Sequence, residues 1–205
     1  MEPLYKALDV LRDGVRTVMR KVAKAVNQAS GGRVSPNAVT ITSLLAHIPV
    51  AWLIATWHTR WAVLLLVIFG LFDALDGELA RLQNSSSKIG MLLDSISDRF
   101  KEIILYIGIT YAFAFGHRPT SAVWATAALG ASLLVSYVNA WGEAVISTKH
   151  ATNKAFRSGL LSFDLRMVLI VLGLLFNKLN VAVVIIALLA LVTVFQRLNG
   201  IRKAL

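Results

Sequence analysis

Residues 73–98 read Asp73-Ala-Leu-Asp76-Gly77-Glu78-Leu-Ala80-Arg81, eight further residues, then Gly90-Met-Leu-Leu-Asp94-Ser-Ile-Ser-Asp98. Six of the eleven acidic residues of the chain, Asp73, Asp76, Glu78, Asp94, Asp98 and Glu102, fall in this neighbourhood. The surroundings are those of a membrane protein. Working outward, apolar stretches run from Trp61 to about Leu82 and from Ile89 to about Phe115, and no Asp, Glu, Lys or Arg occurs from Val34 to Thr59. About 20 apolar residues suffice for a helix to cross the hydrocarbon core. An acidic side chain at the bilayer centre costs on the order of 2.5–3.5 kcal/mol, so four unpaired aspartates there cost about 10 kcal/mol and need a compensating partner.

The rest of the chain agrees with that reading. Of 205 residues, 57% are hydrophobic and 16% charged, which is too apolar for a soluble domain of this length. Further spans are expected from Ser121 to about Ile146, Leu160 to Phe176 and Leu179 to Phe195, giving six in an all-α integral membrane protein. Residues 1–33 carry Lys6, Arg12, Arg16, Arg20, Lys21 and Lys24 among Leu4, Leu8, Leu11, Val15, Val18, Val22 and Val26 at helical spacing. That pattern predicts an amphipathic juxtamembrane helix on the membrane surface, followed by a six-helix transmembrane domain over 34–205.

Charge gives the orientation. Basic residues gather in the amino-terminal segment, the 84–88 turn, the 147–158 loop and the tail with Arg197, Arg202 and Lys203, whereas the opposite side holds Arg60, Arg118 and Lys178. Short cytoplasmic loops retain Lys and Arg, so both termini of this multi-pass chain are expected in the cytoplasm, with the acidic site opening there. The formal net charge of +10 suits anionic lipid or an anionic substrate better than nucleic acid. With no cysteine, disulfides and thiolate ligands are excluded.

Asp73 and Asp76 are three residues apart and Asp94 and Asp98 four apart, so each pair shares a face of its helix. Consecutive spans are antiparallel, and the four carboxylates are expected to converge at two matched levels beside the small residues Gly77, Ala80 and Gly90. Converging carboxylates without thiols suit hard dications such as Mg²⁺, Mn²⁺ or Ca²⁺, and two of these would balance four negative charges. An ion-pair cluster with Arg81, Lys88, Arg99 and Lys101 is the alternative. A cation channel or transporter is a further alternative, since intramembrane aspartates also mark ion paths.

The spacing resembles the motif of the CDP-alcohol phosphotransferase family, D-x2-D-G-x2-A-R-x8or9-G-x3-D-x3-D, with every fixed position filled. The resemblance implies transfer of a substituted phosphoryl group from a CDP-linked donor to an alcohol, with release of CMP and use of two divalent ions, Mg²⁺ or Mn²⁺. It implies that Asp73, Asp76, Asp94 and Asp98 hold metal, that Asp98 is the base for the acceptor hydroxyl, and that Asp76, Gly77, Ala80 and Arg81 line the CDP site. Ser35-Pro36-Asn37-Ala38-Val39-Thr40 resembles the family's P-N-x-(hydrophobic)-T segment, which would add Asn37 near the nucleotide; Ser35 and Pro36 also read as a helix cap and first-turn proline. Gly90 to Arg99 and Ser136 to Glu143 look most like the branch that makes phosphatidylinositol phosphate and its archaeal counterparts. The chain departs from that branch at Asn139 and Trp141, where basic residues are usual, and at Ser162-Phe163-Asp164-Leu165-Arg166. The expected partners are CDP-diacylglycerol or another CDP-linked donor, an alcohol acceptor, membrane lipids and a second copy of the chain. A soluble CDP-alcohol with a lipid acceptor is the alternative pairing. A phosphorylated acceptor would draw on Arg166, Arg157 and Lys154, with Lys149 nearby. His47 reads as a hydrogen-bonded bundle residue rather than a ligand.

Overall fold

The computed structural model describes residues 2–146 and 160–204. Among the described residues there are eight helices and no strand: α1 (Glu2–Ala29), α2 (Pro36–Ala55), α3 (Thr59–Gly70), α4 (Phe72–Leu82), α5 (Lys88–Phe115), α6 (Pro119–Ile146), α7 (Phe163–Leu175) and α8 (Leu179–Ala204). The protein is all-α, as the sequence predicts.

Local chemistry sets the helix ends. Ser35 Oγ accepts from Ala38 N at 3.2 Å and Pro36 takes the first position of α2, where its missing N–H leaves nothing unpaired. Ser162 caps α7 by accepting from Leu165 N at 3.4 Å. At the other ends one device recurs. Gly31, Trp57, Asn84, His117 and Asn177 all have positive φ. In each case the next amide reaches back five residues to a helix carbonyl: Gly32 to Asn27, His58 to Leu53, Ser85 to Ala80, Arg118 to Phe113 and Lys178 to Gly173. This left-handed cap pairs carbonyls that a helix otherwise leaves open, and it turns the chain tightly.

The stretch read as the second span forms two helices, α3 and α4, interrupted at Leu71. The sequence there contains no proline. Instead the Ser43 hydroxyl lies 3.0 Å from the Phe69 carbonyl, which in an unbroken helix would accept from Asp73 N. A side chain inserted into the ladder opens it. Leu71 N turns to both Val67 O and Ile68 O at 3.2 Å, so the path stays helical while the ladder shifts.

Three described helices are long and apolar enough to cross a membrane: Pro36–Ala55, Pro119–Val145 and Leu179–Lys203. The 28-residue α5 is long enough but carries Asp94, Asp98, Arg99, Lys101 and Glu102. At 13 residues, α7 rises only about 20 Å.

The chain packs as two units. The first comprises Met1–Val50 and Leu64–Ile104. Its core joins Met19 and Ala23 of α1, Val39 of α2 and Leu75 and Leu79 of α4, flanked by Val15, Val22, Val26 and Phe72. The apolar stripe of α1 was expected against lipid; from Val15 to Val26 it packs largely on α4, and Val18 stays outside at 54% exposure. Gln83 Nε2 fastens this arrangement with 2.9 Å bonds to Asn27 Oδ1 and the Val34 carbonyl.

The second unit comprises Ala51–Val63 and Leu105–Leu205. Its core includes Tyr106, Ile109, Phe113, Ala128, Val135, Ile170, Val183, Ile186 and Ala190. Small residues allow close helix contact: a side chain at Gly108 would meet the Ala51 carbonyl, and one at Gly173 would lie 2.7 Å from Ala182 Cβ. Leu161 N donates to Thr193 Oγ1 at 3.1 Å, and Arg197 Nη1 to Val135 O at 3.0 Å, so polar groups tie α8 to the start of α7 and to α6.

Candidate active site

The aspartates predicted as a set all lie in the first unit, on α4 and on the amino-terminal part of α5. Helical spacing puts Asp73 and Asp76 on one face of α4, and tertiary contacts then give the two different surroundings. Asp76 is buried at 6% exposure, and its Oδ2 accepts from the Thr40 hydroxyl of α2 at 2.5 Å. Asp73 is partly open and lies 3.3 Å from Ser43 Oγ.

Lys101, one turn beyond Asp98 on α5, is 1% exposed. Its ammonium donates to Asp73 Oδ1 of α4 and lies 3.4 Å from Asp98 Oδ1. One buried cation thus joins carboxylates from two helices. Arg99 is shared between Asp98, at 3.9 Å, and the buried Glu102, at 2.9 Å. Asp94 has no hydrogen bond or ion pair among the described residues, yet it interacts electrostatically with both Asp73 and Lys101. The four aspartates therefore share one electrostatic neighbourhood, in which Asp73 acts on Asp76, Asp94 and Asp98 alike.

Of the ion-pair cluster that the sequence offers as an alternative, the structure shows Lys101 pairing with Asp73 and Asp98 and Arg99 with Asp98, and no pair for Asp94 among the described residues. The expected convergence at two matched levels is only partly seen: among the described residues, no three acidic or histidine side chains close on one point as metal ligands do. In kind, the donors fit a hard divalent cation. They are all carboxylate oxygens, those of Asp94 have uncommitted lone pairs, and Asp73 and Asp98 already meet on one ammonium.

Asn37, Gly77, Ala80, Arg81 and Gly90 belong to the same unit as the aspartates. Asn37 Oδ1 lies 3.5 Å from where a Cβ on Gly90 would stand, and Ser87 Oγ, which accepts from Gly90 N at 3.0 Å, would be 3.2 Å from it. Glycine at this position leaves α5 open to the Pro36-Asn37 segment. The Arg81 guanidinium lies over Gly77, 3.8 Å from its would-be Cβ, and pairs with Glu78. Ala80 is partly buried on the same helix.

Glu78 had no role in the sequence reading. Its side chain is 3% exposed and gathers three arginines: Arg81, Arg20 at 3.3 Å and Arg16 at 3.6 Å. The one-turn spacings of Arg16 with Arg20 on α1 and of Glu78 with Arg81 on α4 are the sequence signals that could have pointed to the cluster. His47 is buried, with Nδ1 2.7 Å from Ser43 O, in agreement with a bundle role. In the second unit Arg166 is 1% exposed, sits 3.4 Å from Leu161 O and places its guanidinium over the Phe163 ring. Lys149, Lys154 and Arg157 lie outside the described residues.

Comparison with known proteins gives one consistent answer. The sequence profile of the CDP-alcohol phosphatidyltransferase family matches residues 33–196. A phosphatidylinositol phosphate synthase of Mycobacteroides abscessus is 30% identical over 179 residues, spanning 83% of this chain and 78% of that protein. An archaetidylinositol phosphate synthase of Pyrococcus horikoshii is 29% identical over 198 residues, 97% of this chain and 98% of the relative. In fold, the chain is similar to the phosphatidylinositol phosphate synthase of Mycobacterium tuberculosis. The crystal structure with CDP-DAG bound has a TM-score of 0.79 at 22% identity, covering 90% of this chain and 94% of that one. The structure of the same enzyme with manganese and citrate has a TM-score of 0.78 at 23% identity, covering 90% and 89%. A profile match over most of the chain, with the aspartate motif inside it, is decisive: this membrane protein belongs to the CDP-alcohol phosphatidyltransferase family.

Proposed function

We propose that the chain transfers the phosphatidyl group of CDP-diacylglycerol to a phosphorylated alcohol, inositol phosphate foremost, and releases CMP. The observation that carries the reading is the meeting of Asp73 and Asp98, from different helices, on one buried cation, with Asp94 unpaired beside them. Such a site is built to hold positive charge. Family membership and the named activities of the relatives supply the reaction and the acceptor class.

In this reading Asp73, Asp76, Asp94 and Asp98 hold two divalent ions, Mg²⁺ or Mn²⁺. Held there, such ions would supply positive charge to offset that of the pyrophosphate and of the leaving CMP. The protein groups do the rest. Thr40 fixes the Asp76 carboxylate by its hydrogen bond. Asp98 takes the proton from the acceptor hydroxyl as that oxygen bonds to the phosphatidyl phosphorus and the bond to the CMP oxygen breaks. Arg81 contacts the diphosphate, Gly77, Ala80 and Asn37 border the nucleotide, and Arg166 with Arg157 and Lys154 receives the acceptor phosphate.

The same reading takes α3 and α4 as one interrupted span and places six spans in the cell membrane, with α1 as a juxtamembrane helix, both termini cytoplasmic and a homodimer as the assembly. The test is CMP release by purified protein with Mg²⁺ or Mn²⁺, offering CDP-diacylglycerol with a panel of alcohols and, separately, soluble CDP-alcohols with diacylglycerol. Asp98→Asn is expected to lower turnover by at least about 10²-fold, the lower end for loss of a general base, while the protein purifies folded. Equal behaviour of wild type and variant across both panels would overturn the proposal.

A further inference from the structure

Lys101 is the best-buried cation at the site, and the reaction described above makes no use of it. Four carboxylates crowd this part of α4 and α5, and without a positive charge among them their mutual repulsion would push the two helices apart. Lys101 supplies that charge from within. Its side chain is 1% exposed and its ammonium bridges Asp73 and Asp98 rather than reaching solvent. Arg99 does not stand in for it, because its closer carboxylate is Glu102. Lysine is also suited to yielding the place: its flexible four-carbon stem carries a compact charge that can be withdrawn without disturbing the backbone.

We propose that Lys101 is a resident counter-ion that competes with a divalent cation for Asp73 and Asp98, holding the site together when metal is scarce and lowering its metal affinity. The inference rests on the reading of these aspartates as metal ligands. A divalent ion coordinated by Asp73 and Asp98 takes the oxygens that now accept from the ammonium, so binding proceeds by exchange of one cation for another. The exchange leaves the site less sensitive to trace metal than four unopposed carboxylates would be. It also predicts opposite changes with and without metal, which a purely structural lysine would not give.

The experiment is a Mn²⁺ titration of purified, detergent-solubilised protein followed by the electron paramagnetic resonance signal of free Mn²⁺, with thermal melting measured on the same samples. Wild type is compared with Lys101→Met, Lys101→Gln, Lys101→Arg and Asp98→Asn. The expected result is Mn²⁺ binding at least about tenfold tighter in Lys101→Met and Lys101→Gln, a tenfold change being about 1.4 kcal/mol. Both variants should melt lower than wild type without metal and recover when Mn²⁺ is added, while Lys101→Arg should retain the weaker, wild-type affinity. Unchanged or weaker Mn²⁺ binding in the two neutral variants overturns the inference. Failure of wild type to bind Mn²⁺, or binding indifferent to Asp98→Asn, overturns the metal reading as well. Wild type provides an arm that no folding defect can blunt. Acylation of Lys101 by a succinimidyl ester, read by peptide mass spectrometry, should rise when Mn²⁺ is added, and no rise counts against the exchange.

Discussion

The Thr40 hydroxyl stands 2.5 Å from Asp76 Oδ2 and 3.2 Å from the Pro36 carbonyl, and it has one proton to give. The shorter contact goes to a buried carboxylate, and hydrogen bonds to charged acceptors are the stronger kind, so the proton belongs to Asp76. Thr40→Val keeps the shape and removes the donor. The bond orients a proposed metal ligand, so the expected outcome is a loss of about 10–100-fold in Mn²⁺ affinity or in turnover. Titration of the folded variant checks it, and wild-type behaviour would show that Asp76 needs no such support. The aspartates were legible in the sequence because helical spacing places residues three and four apart on one face. Lys101 could be read as an ion-pair partner, since it stands three residues after Asp98, but its bridge to Asp73, like the contacts of Thr40 and Ser43, joins residues 28 to 36 positions apart, and only the packing of α2, α4 and α5 decides that they meet.

At the scale of elements, α1 and α4 are joined twice: by an apolar contact of Met19 and Ala23 with Leu75 and Leu79, and by Arg16 and Arg20 closing on Glu78. The arginine side chains are half to two-thirds exposed, so each pair taken singly is worth little. The carboxylate they share is buried, however, and its loss leaves Arg16, Arg20 and Arg81 facing one another. Glu78→Gln is therefore expected to destabilise the protein by about 1–3 kcal/mol, less than a fully buried pair because solvent reaches the arginines. Melting in detergent measures this, and the loss should shrink at high salt if it is electrostatic. The Ser35 cap, the Pro36 start, the apolar runs of α2, α6 and α8 and the helical stripe of α1 could all be read from sequence, since propensity and periodicity are local properties. Two features could not. The break at Leu71 depends on the Ser43 hydroxyl of another helix, and the choice of α4 over lipid as the partner for α1 depends on a surface that exists only after folding.

At the scale of the whole molecule, two counts of spans make opposite statements about where the ends of the chain lie. If only Pro36–Ala55, Pro119–Val145 and Leu179–Lys203 cross, residues before α2 and at the end of α8 face opposite sides of the membrane. If α3 with α4, the charged α5 and the short α7 cross as well, both ends face the same side. Basic residues favour the second count, because it gathers the amino-terminal arginines, Lys88 and the Arg197–Lys203 tail on one face and leaves Arg60, Arg118 and Lys178 on the other. The chain contains no cysteine, so single cysteines can report their side without interference. Exposed positions are available in two of the connections and near helix ends: Gln28, Ser85 and Asn199 for one face, His58 and Thr120 for the other. With a membrane-impermeant maleimide on intact and inverted vesicles, Gln28→Cys, Ser85→Cys and Asn199→Cys are expected to label from the cytoplasmic side, and His58→Cys and Thr120→Cys from the opposite side. Ser85 separates the counts most sharply, since three crossings place it with His58 and six place it with Gln28. Labelling of Ser85→Cys alongside His58→Cys would also put Asp94, nine residues further on, at the wrong face for a cytoplasmic nucleotide donor.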